Sequence, residues 1–179
     1  KGSSNKKSII AIQRCRDIMA NMPLRNPRSR EAISNGSFYF SPLHSDGFMP
    51  FLQAGQTAPW DELIAFSPYW SDVETNIKNA NARIIQLVPA LMNNGYFGIA
   101  KDEIPNNDEI ELMKIKKKNE TRFWHAKLYF LRRGNRLQSA VGSCNFTKPA
   151  LSGGNTGNVE AMIVFQDEDW DSYEDISLI

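Results

Sequence analysis

The fold is decided by residues 122–160, which read RFWHAKLYFLRRGNRLQSAVGSCNFTKPALSGGNTGNVE. Apolar runs separated by turn residues are typical of strands joined by a tight turn and a loop. The stretch predicts strands over 121–133, 137–142 and 158–165, a hairpin turn at 133–136, and one helical turn at 149–151. Three strands of one sheet are therefore expected to hold the polar residues that bear on function.

The residues before this stretch alternate between strand-like and helix-like patterns. They predict a helix over 8–20, strands over 37–40, 62–67, 82–89 and 109–116, a brief helix within 41–51, a helix within 67–80 and a short helical piece around 90–93. Ser71 and Glu74 have the spacing of a capping box at the start of the longer helix. Strands that alternate with helices and end in a hairpin indicate an α/β domain, a mixed β-sheet flanked by helices on both faces.

The length of 179 residues suits one domain with a full hydrophobic core. We expect residues 1–7 to be disordered, residues 8–166 to form a single domain, and residues 167–179 to form an acidic tail. No apolar run is long enough to span a membrane. The polar start of the chain is not followed by the apolar segment of a signal peptide.

The two cysteines, Cys15 and Cys144, match no metal-ligand spacing. We interpret them as free thiols in a reducing cytoplasm, which predicts a cytoplasmic protein. Two histidines and two cysteines disfavour a zinc site, although counting residues leaves a carboxylate magnesium site open. The sequence thus predicts neither a metal nor another cofactor.

Charge is unevenly distributed along a chain whose net charge is +1. Residues 167–179 hold six acidic residues and no basic one, which leaves 21 basic and 14 acidic residues in the remainder. Nine of the basic residues lie within 114–136, against the single acidic Glu120. Such a field attracts a polyanion, although a charge run is usually only a solvated face. The candidate phosphate-binding residues are Lys116, Lys117, Lys118, Arg122 and Arg132.

Five polar residues of the opening stretch form the pattern H-x-K, G-S-x-N and N-x-E. His125 and Lys127 are two apart on the predicted strand, so their side chains share a face. The returning strand brings Ser143 and Asn145 to its end, where backbone amides can bind an oxyanion. Glu160 lies early in the next strand and is expected to meet the histidine from the side.

This set fits attack on a phosphodiester, which needs a nucleophile, a proton donor to the leaving oxygen and donors around the other oxygens. A neutral His125 imidazole can attack, while Glu160 fixes the orientation of the ring. Lys127 and Asn145 can hold phosphate oxygens with help from Ser143. One histidine cannot be nucleophile and acid in the same step, so a second His-Lys set is expected from a twin subunit or elsewhere in a longer chain.

Each residue also has an ordinary interpretation. His125 can be a core histidine, Lys127 a residue that protects an edge strand, and Asn145 a turn residue. Glu160 can pair with an arginine at the surface. The other histidine, His44, has no lysine two residues further on, and we interpret it as a loop histidine. The complete pattern, in order and on adjoining strands, is much rarer than any of its parts.

The segments HAKLYF, VGSCNFT and GNVEAMIVF resemble the signature of the phospholipase D superfamily. Upstream, ELIAFSPYWSD and ARIIQLVP are similar to the first strand, helix and second strand of the same domain. The resemblance covers residues 62–165 and implies a phospholipase D-like domain. The HKD motif of the family has an aspartate five residues after the lysine, whereas this chain has Arg132 there. That departure and the N-x-E element are more similar to the nuclease and restriction-endonuclease branch.

That branch implies a catalytic set of His125, Lys127, Asn145 and Glu160. It also implies cleavage without a metal, through a covalent phosphohistidine, in a site where two copies meet. We therefore expect a hydrolase of the endonuclease type, a metal-independent phosphodiesterase that acts on DNA as a homodimer. Two alternatives stay open: a lipid phosphodiesterase or phosphatidyl transferase, and a non-catalytic phospholipase D-like domain that binds DNA or a partner.

Aromatic residues near the candidate site can stack on exposed bases, although aromatic side chains at strand spacing more often belong to the core. The six residues with these two interpretations are Tyr69, Trp70, Phe123, Trp124, Tyr129 and Phe146.

Overall fold

The structure of the chain is a computed structural model. It describes residues 36–53, 56–92, 95–115, 125–154 and 157–169. Of these, residues 167–169 are described by their backbone only. The chain divides into two compact units, Lys1–Ser34 and Asn35–Ile179, and every described residue belongs to the second. The predicted helix over 8–20 and the predicted disorder of residues 1–7 lie outside the described residues. In the part of the chain that is described, no helix has the length and apolar character needed to cross a membrane.

Within the described residues the chain forms seven strands, three α-helices and two 3₁₀ turns. The strands are β1 (Gly36–Phe40), β2 (Trp60–Ser67), β3 (Ala82–Pro89), β4 (Ile110–Leu112), β5 (Leu128–Arg133), β6 (Arg136–Gly142) and β7 (Ala161–Asp169). The helices are α1 (Phe48–Leu52), α2 (Val73–Ala80) and α3 (Lys148–Leu151), and the 3₁₀ turns span Ser41–Leu43 and Lys101–Glu103. The strand predictions that correspond to β1, β2, β3 and β6 are confirmed to within two residues.

All seven strands belong to one sheet, in the order β1-β7-β6-β5-β2-β3-β4. β2, β3 and β4 are parallel, whereas the neighbours from β1 across to β2 are antiparallel. α2 connects β2 to β3, as a parallel pair requires. The hairpin pairs Arg133 with Arg136 around Gly134, whose φ of 56° is accessible to glycine without strain. The prediction of an α/β domain with a mixed sheet is confirmed.

The two faces of the sheet bury separate apolar clusters, because alternate residues of a strand point to opposite faces. On β2, Leu63 and Ala65 belong to the larger cluster, and Ile64 and Phe66 belong to the smaller one. The three helices place their buried apolar residues in the larger cluster. The helices therefore pack on one face. The sequence predicts helices on both faces, but no helix of the described residues covers the second face.

The predicted capping box at the start of α2 is wrong. Asp72 occupies the N-cap in the left-handed conformation, with φ of 50°, and no side chain caps the helix there. The Ser71 carbonyl accepts a hydrogen bond of 2.9 Å from the Asn76 side chain. Glu74 forms an ion pair of 2.7 Å with Lys78 one turn further on, and this pair replaces the expected bond to Ser71.

The helical piece predicted around 90–93 is not found in the described part of that segment. Leu91 pairs with Phe97 in an isolated β-bridge, and the Gly98 amide donates to the Ala90 carbonyl over 3.0 Å. The chain therefore turns back on itself directly after β3. At the other end of the chain, β7 runs through Asp169 and includes the first residues of the predicted acidic tail.

Candidate active site

His125 and Lys127 lie just before β5, at the end of the sheet where β2 and β3 finish. The Lys127 Nζ lies 3.0 Å from Nε2 and 2.5 Å from Nδ1 of the His125 ring, and it donates to the His125 carbonyl over 3.1 Å. His125 is exposed, and Tyr69 approaches it edge-on with 6.0 Å between ring centroids. In a neutral imidazole one ring nitrogen carries no proton and can accept a hydrogen bond from an ammonium group.

Lys127 is buried, and the residue as a whole is only 5% exposed. The Lys127 backbone carbonyl accepts a hydrogen bond from the Gly142 amide over 3.3 Å. This bond extends the pairing of β5 with β6 by one residue pair beyond Leu128. Burial lowers the pKa of Lys127, because it disfavours the charged form, and the negative charge of Glu160 acts in the opposite direction. The negative charge of Glu160 is therefore close enough to Lys127 to favour the ammonium form.

Gly142 allows the end of β6 to approach the start of β7 closely. A Cβ atom at this position would lie 2.2 Å from the Ala161 carbonyl oxygen, so only glycine fits without a shift of the backbone. The approach places Ser143 beside β7, where its Oγ donates to Glu160 Oε2 and accepts from the Ala161 amide over 2.9 Å. The close approach of β7 thus explains why a glycine precedes the serine in the G-S-x-N pattern. The serine side chain links the end of β6 to the start of β7.

The Glu160 backbone is held by Ser41, a residue that sequence reasoning did not select. The Ser41 amide donates to the Glu160 carbonyl over 2.9 Å, and the Glu160 amide donates to Ser41 Oγ over 2.9 Å. Ser41 Oγ in turn donates to the Asn158 carbonyl over 2.7 Å. Both Ser41 and Glu160 are buried. These bonds join the residue that follows β1 to the residue that precedes β7, and they fix the carboxylate at the end of the sheet.

The Glu160 carboxylate accepts hydrogen bonds from two side chains. Ser143 donates to Oε2, and Asn158 donates to Oε1 over 3.4 Å. The sequence predicts that Glu160 orients the His125 ring, and that role stays a prediction.

The loop that carries Asn145 is anchored on both sides. The Tyr129 hydroxyl donates to the Cys144 carbonyl over 2.9 Å, and the Phe146 amide donates to Ser67 Oγ over 2.9 Å. Burial raises the pKa of Tyr129, which keeps this phenol protonated and able to donate. Asn145 Oδ1 is buried without a hydrogen-bond partner among the described residues. A buried polar atom of this kind is typical of a position that a water or a bound molecule completes.

Among the described residues, no predicted phosphate-binding residue lies beside His125. Lys116, Lys117, Lys118 and Arg122 lie outside the described residues. Arg132 lies four residues along β5 from Leu128, and its Nε donates to Glu62 Oε2 over 2.9 Å. Arg132 is therefore part of an ion pair within the sheet, away from His125.

The aromatic residues divide between the core and the surface. Tyr129 and Phe146 are fully buried, and Trp70 is buried with its ring against Phe146. Tyr69 is 44% exposed beside His125, which leaves part of its ring accessible. Phe123 and Trp124 lie outside the described residues.

Replacing Ser41 by alanine is expected to lower the free energy of unfolding by about 1–3 kcal/mol, because the buried Glu160 amide loses its acceptor. Urea denaturation measures this change. The matched control is Ser45→Ala, which removes an exposed hydroxyl bonded to Asp46 and should change stability by less than about 0.5 kcal/mol. Equal losses in the two variants would contradict the role of Ser41.

In the described part of the chain, no group of three or more His, Cys, Asp and Glu side chains is arranged to hold a metal ion. Comparison with protein-family models gave no match, and comparison with curated proteins gave none.

Among solved structures, the chain is similar to yeast tyrosyl-DNA phosphodiesterase, with 16% identity and a TM-score of 0.46 over 72% of this chain and 31% of that one. It is also similar to NucT from Helicobacter pylori, with 14% identity and a TM-score of 0.45 over 74% of this chain and 85% of that one. Polyphosphate kinase from Porphyromonas gingivalis gives 9% identity and a TM-score of 0.39, over 70% and 18%. The chain thus spans about a third of the yeast enzyme.

Proposed function

We propose that the chain is a metal-independent phosphodiesterase, a nuclease that cleaves DNA through a phosphohistidine intermediate. The observation that carries the proposal is the contact of Lys127 with the His125 ring, at the end of the sheet that also holds Glu160. An exposed imidazole beside a buried ammonium provides a nucleophile and a cation for one phosphate group. The resemblance of the motif segments to the phospholipase D superfamily supports this chemistry and implies that no metal takes part.

In the first step, a ring nitrogen of His125 attacks the phosphorus atom. A P–N bond forms, and the P–O bond to the leaving group breaks. The Lys127 ammonium and the Asn145 amide group stabilise the negative charge on the non-bridging oxygens. In the second step, water attacks the phosphorus, the P–N bond breaks, and the neutral imidazole is restored.

A second histidine completes the proton balance. In the first step His125 of the partner subunit donates its proton to the leaving oxygen, and in the second it accepts a proton from the attacking water. We therefore propose a homodimer, or a second His-Lys copy in a longer chain, with one reaction site between two copies.

The charge distribution favours a nucleic acid as substrate. Nine Lys and Arg residues within 114–136 surround the catalytic histidine in sequence, and a basic field of this kind attracts a polyanion. The field would also suit an anionic lipid headgroup, so the substrate must be tested directly.

The experiment is DNA hydrolysis by the purified chain in excess EDTA, with plasmid and single-stranded DNA as substrates and phosphatidylcholine vesicles for comparison. We expect cleavage of DNA at the same rate with and without EDTA. Loss of activity in EDTA would contradict the metal-independent mechanism. Hydrolysis of the lipid alone would assign a lipid phosphodiesterase, and salt-dependent DNA binding without cleavage would assign a binding domain.

A further inference from the structure

A groove lies beside β4, which is the last strand on its side of the sheet among the described residues. Its volume is about 1140 Å³, which exceeds the roughly 300–1,000 Å³ of most small-ligand pockets and suits a segment of a longer molecule. Most of the residues that line it are apolar or aromatic, and among them Tyr96 is 73% exposed and Leu112 is 44% exposed. Adjoining exposed apolar groups are typical of a surface that binds another molecule.

The outer edge of β4 offers backbone groups to an added strand. The Glu109 carbonyl and the Met113 amide each form a hydrogen bond of 2.8 Å with β3. The backbone groups of alternate residues point to opposite sides of a strand, so the Leu112 amide and the carbonyls of Ile110 and Leu112 point away from β3. An extended peptide can form hydrogen bonds with such an edge and thereby become a further strand of the sheet.

The two faces of β4 differ in chemistry. Ile110 and Leu112 line the groove, and Glu111 between them points to the opposite face, because side chains alternate along a strand. Glu111 is exposed on that face, and its Oε2 accepts a hydrogen bond from the Gln86 side chain over 3.0 Å. Residues opposite each other on paired strands share a face. A strand added to β4 would therefore meet apolar side chains on one face and a carboxylate on the other.

The charge around the groove opposes a polyanion and favours a cationic partner. Residues 101–111 hold one lysine against five acidic residues, Asp102, Glu103, Asp108, Glu109 and Glu111. Each of the five is next in sequence to a residue that lines the groove. Glu103 Oε2 is also buried without a hydrogen-bond partner among the residues that the structure describes. A buried carboxylate oxygen of this kind is typical of a position that a donor from a bound molecule completes.

We propose that β4 and its groove bind an extended segment of a partner protein in which apolar residues alternate with lysine or arginine. The segment adds to the edge of β4 as a further strand, packs its apolar side chains beside Tyr96 and Leu112, and places its cations beside Glu111. Backbone hydrogen bonds provide affinity, and the two faces select the sequence of the segment. None of these residues belongs to the candidate active site, so the proposal is independent of the nuclease function.

The test measures the binding of synthetic peptides to the complete chain. The probe is a short fluorescent peptide in which lysine alternates with valine, and fluorescence anisotropy at about 150 mM salt reports its affinity. We expect binding that is weaker by about tenfold or more when glutamate replaces lysine, or when the lysines and valines are grouped in two blocks. Methylation of the backbone amides of one alternate set of residues should abolish binding, and methylation of the other set should preserve it, because only alternate amides face β4.

Two substitutions in β4 locate the peptide, each with a matched control elsewhere. Leu112→Ala should weaken binding by about five- to thirtyfold, whereas Ile163→Ala, which shortens a 45% exposed side chain of β7, should change it by less than about twofold. Glu111→Lys should weaken binding by about three- to thirtyfold, because it sets like charges against each other. Asp46→Lys changes the net charge equally in the exposed loop before α1 and should change the affinity by less than about twofold.

Glu111 is exposed, so Glu111→Lys tests the proposal even if Leu112→Ala does not fold. Equal affinity for the lysine and glutamate peptides, equal affinity for the two methylated peptides, or unchanged binding in both β4 variants would overturn the proposal. Failure of the alternating lysine peptide to bind would overturn it as well. DNA hydrolysis has no part in these measurements, so a failure of the proposed function leaves their outcome unaffected.

Discussion

Replacing His125 by alanine is expected to lower the rate of DNA cleavage by about four orders of magnitude or more while the fold stays intact. The loss is large because the variant lacks the atom that forms the covalent bond to phosphorus. The fold should be unaffected because His125 is exposed and the Lys127 ammonium keeps the carbonyl oxygen of residue 125 as an acceptor. The free energy of unfolding should therefore change by less than about 0.5 kcal/mol.

Single-turnover kinetics and rapid quenching measure this prediction. In the wild-type chain, digestion after an alkaline quench should yield a peptide in which His125 is joined through phosphorus to a DNA fragment, and acid should release that fragment by breaking the P–N bond. The control is His44→Phe, which keeps an aromatic ring in the stack with Tyr39 and Phe51 and should leave both rate and intermediate unchanged. A His125→Ala variant with more than a tenth of the wild-type rate would show that another group attacks.

The sheet could be predicted from the sequence because its signals are local. β2 contains the apolar run 63–66, the apolar residues at 84–88 of β3 are interrupted by Gln86 alone, and the hairpin follows from a glycine at the turn. The local reasoning was wrong at the start of α2. Ser71 and Glu74 have the right spacing for a capping box. The loop between β2 and α2 instead places Ser71 Oγ where it accepts a hydrogen bond from the Lys148 amide, 77 residues away. Capping patterns are overridden when tertiary contacts use the same atoms.

The candidate site could be predicted only in part, because some of its residues are positioned by tertiary contacts rather than by local sequence. His125 and Lys127 are two residues apart, so any extended backbone brings them together. The position of Glu160 depends instead on its bonds to Ser41 and on the narrow space at Gly142. Those contacts join residues more than a hundred positions apart, or depend on a steric limit that no local pattern reveals.

The charges of Lys127 and Glu160 have different effects in the free chain and in the proposed complex with substrate. Lys127 is buried at a cost in desolvation, and Glu160 provides the compensating charge. In the proposed reaction a phosphate adds a further negative charge beside Lys127, which favours the protonated ammonium more strongly in the complex than in the free chain. The cation thus interacts more favourably with bound substrate than with the free site, and it accelerates the reaction to the extent that this interaction strengthens further in the transition state.

A heterodimer of one wild-type and one His125→Ala subunit is expected to be nearly inactive, with less than about a hundredth of the wild-type rate. One site at a two-fold axis needs His125 from both subunits, so the loss of either one removes the nucleophile or the acid. If each subunit held a complete site, the heterodimer would keep about half of the activity.

Two affinity tags on co-expressed subunits allow the heterodimer to be purified, and light scattering confirms its mass. The control is a doubly tagged dimer in which one subunit carries His44→Phe, which should retain full activity, since that histidine packs between aromatic rings and takes no part in the reaction. A heterodimer with half the activity, or a monomer that cleaves DNA, would contradict the shared site. An inactive heterodimer beside an active control would assign the missing acid to the second copy of His125.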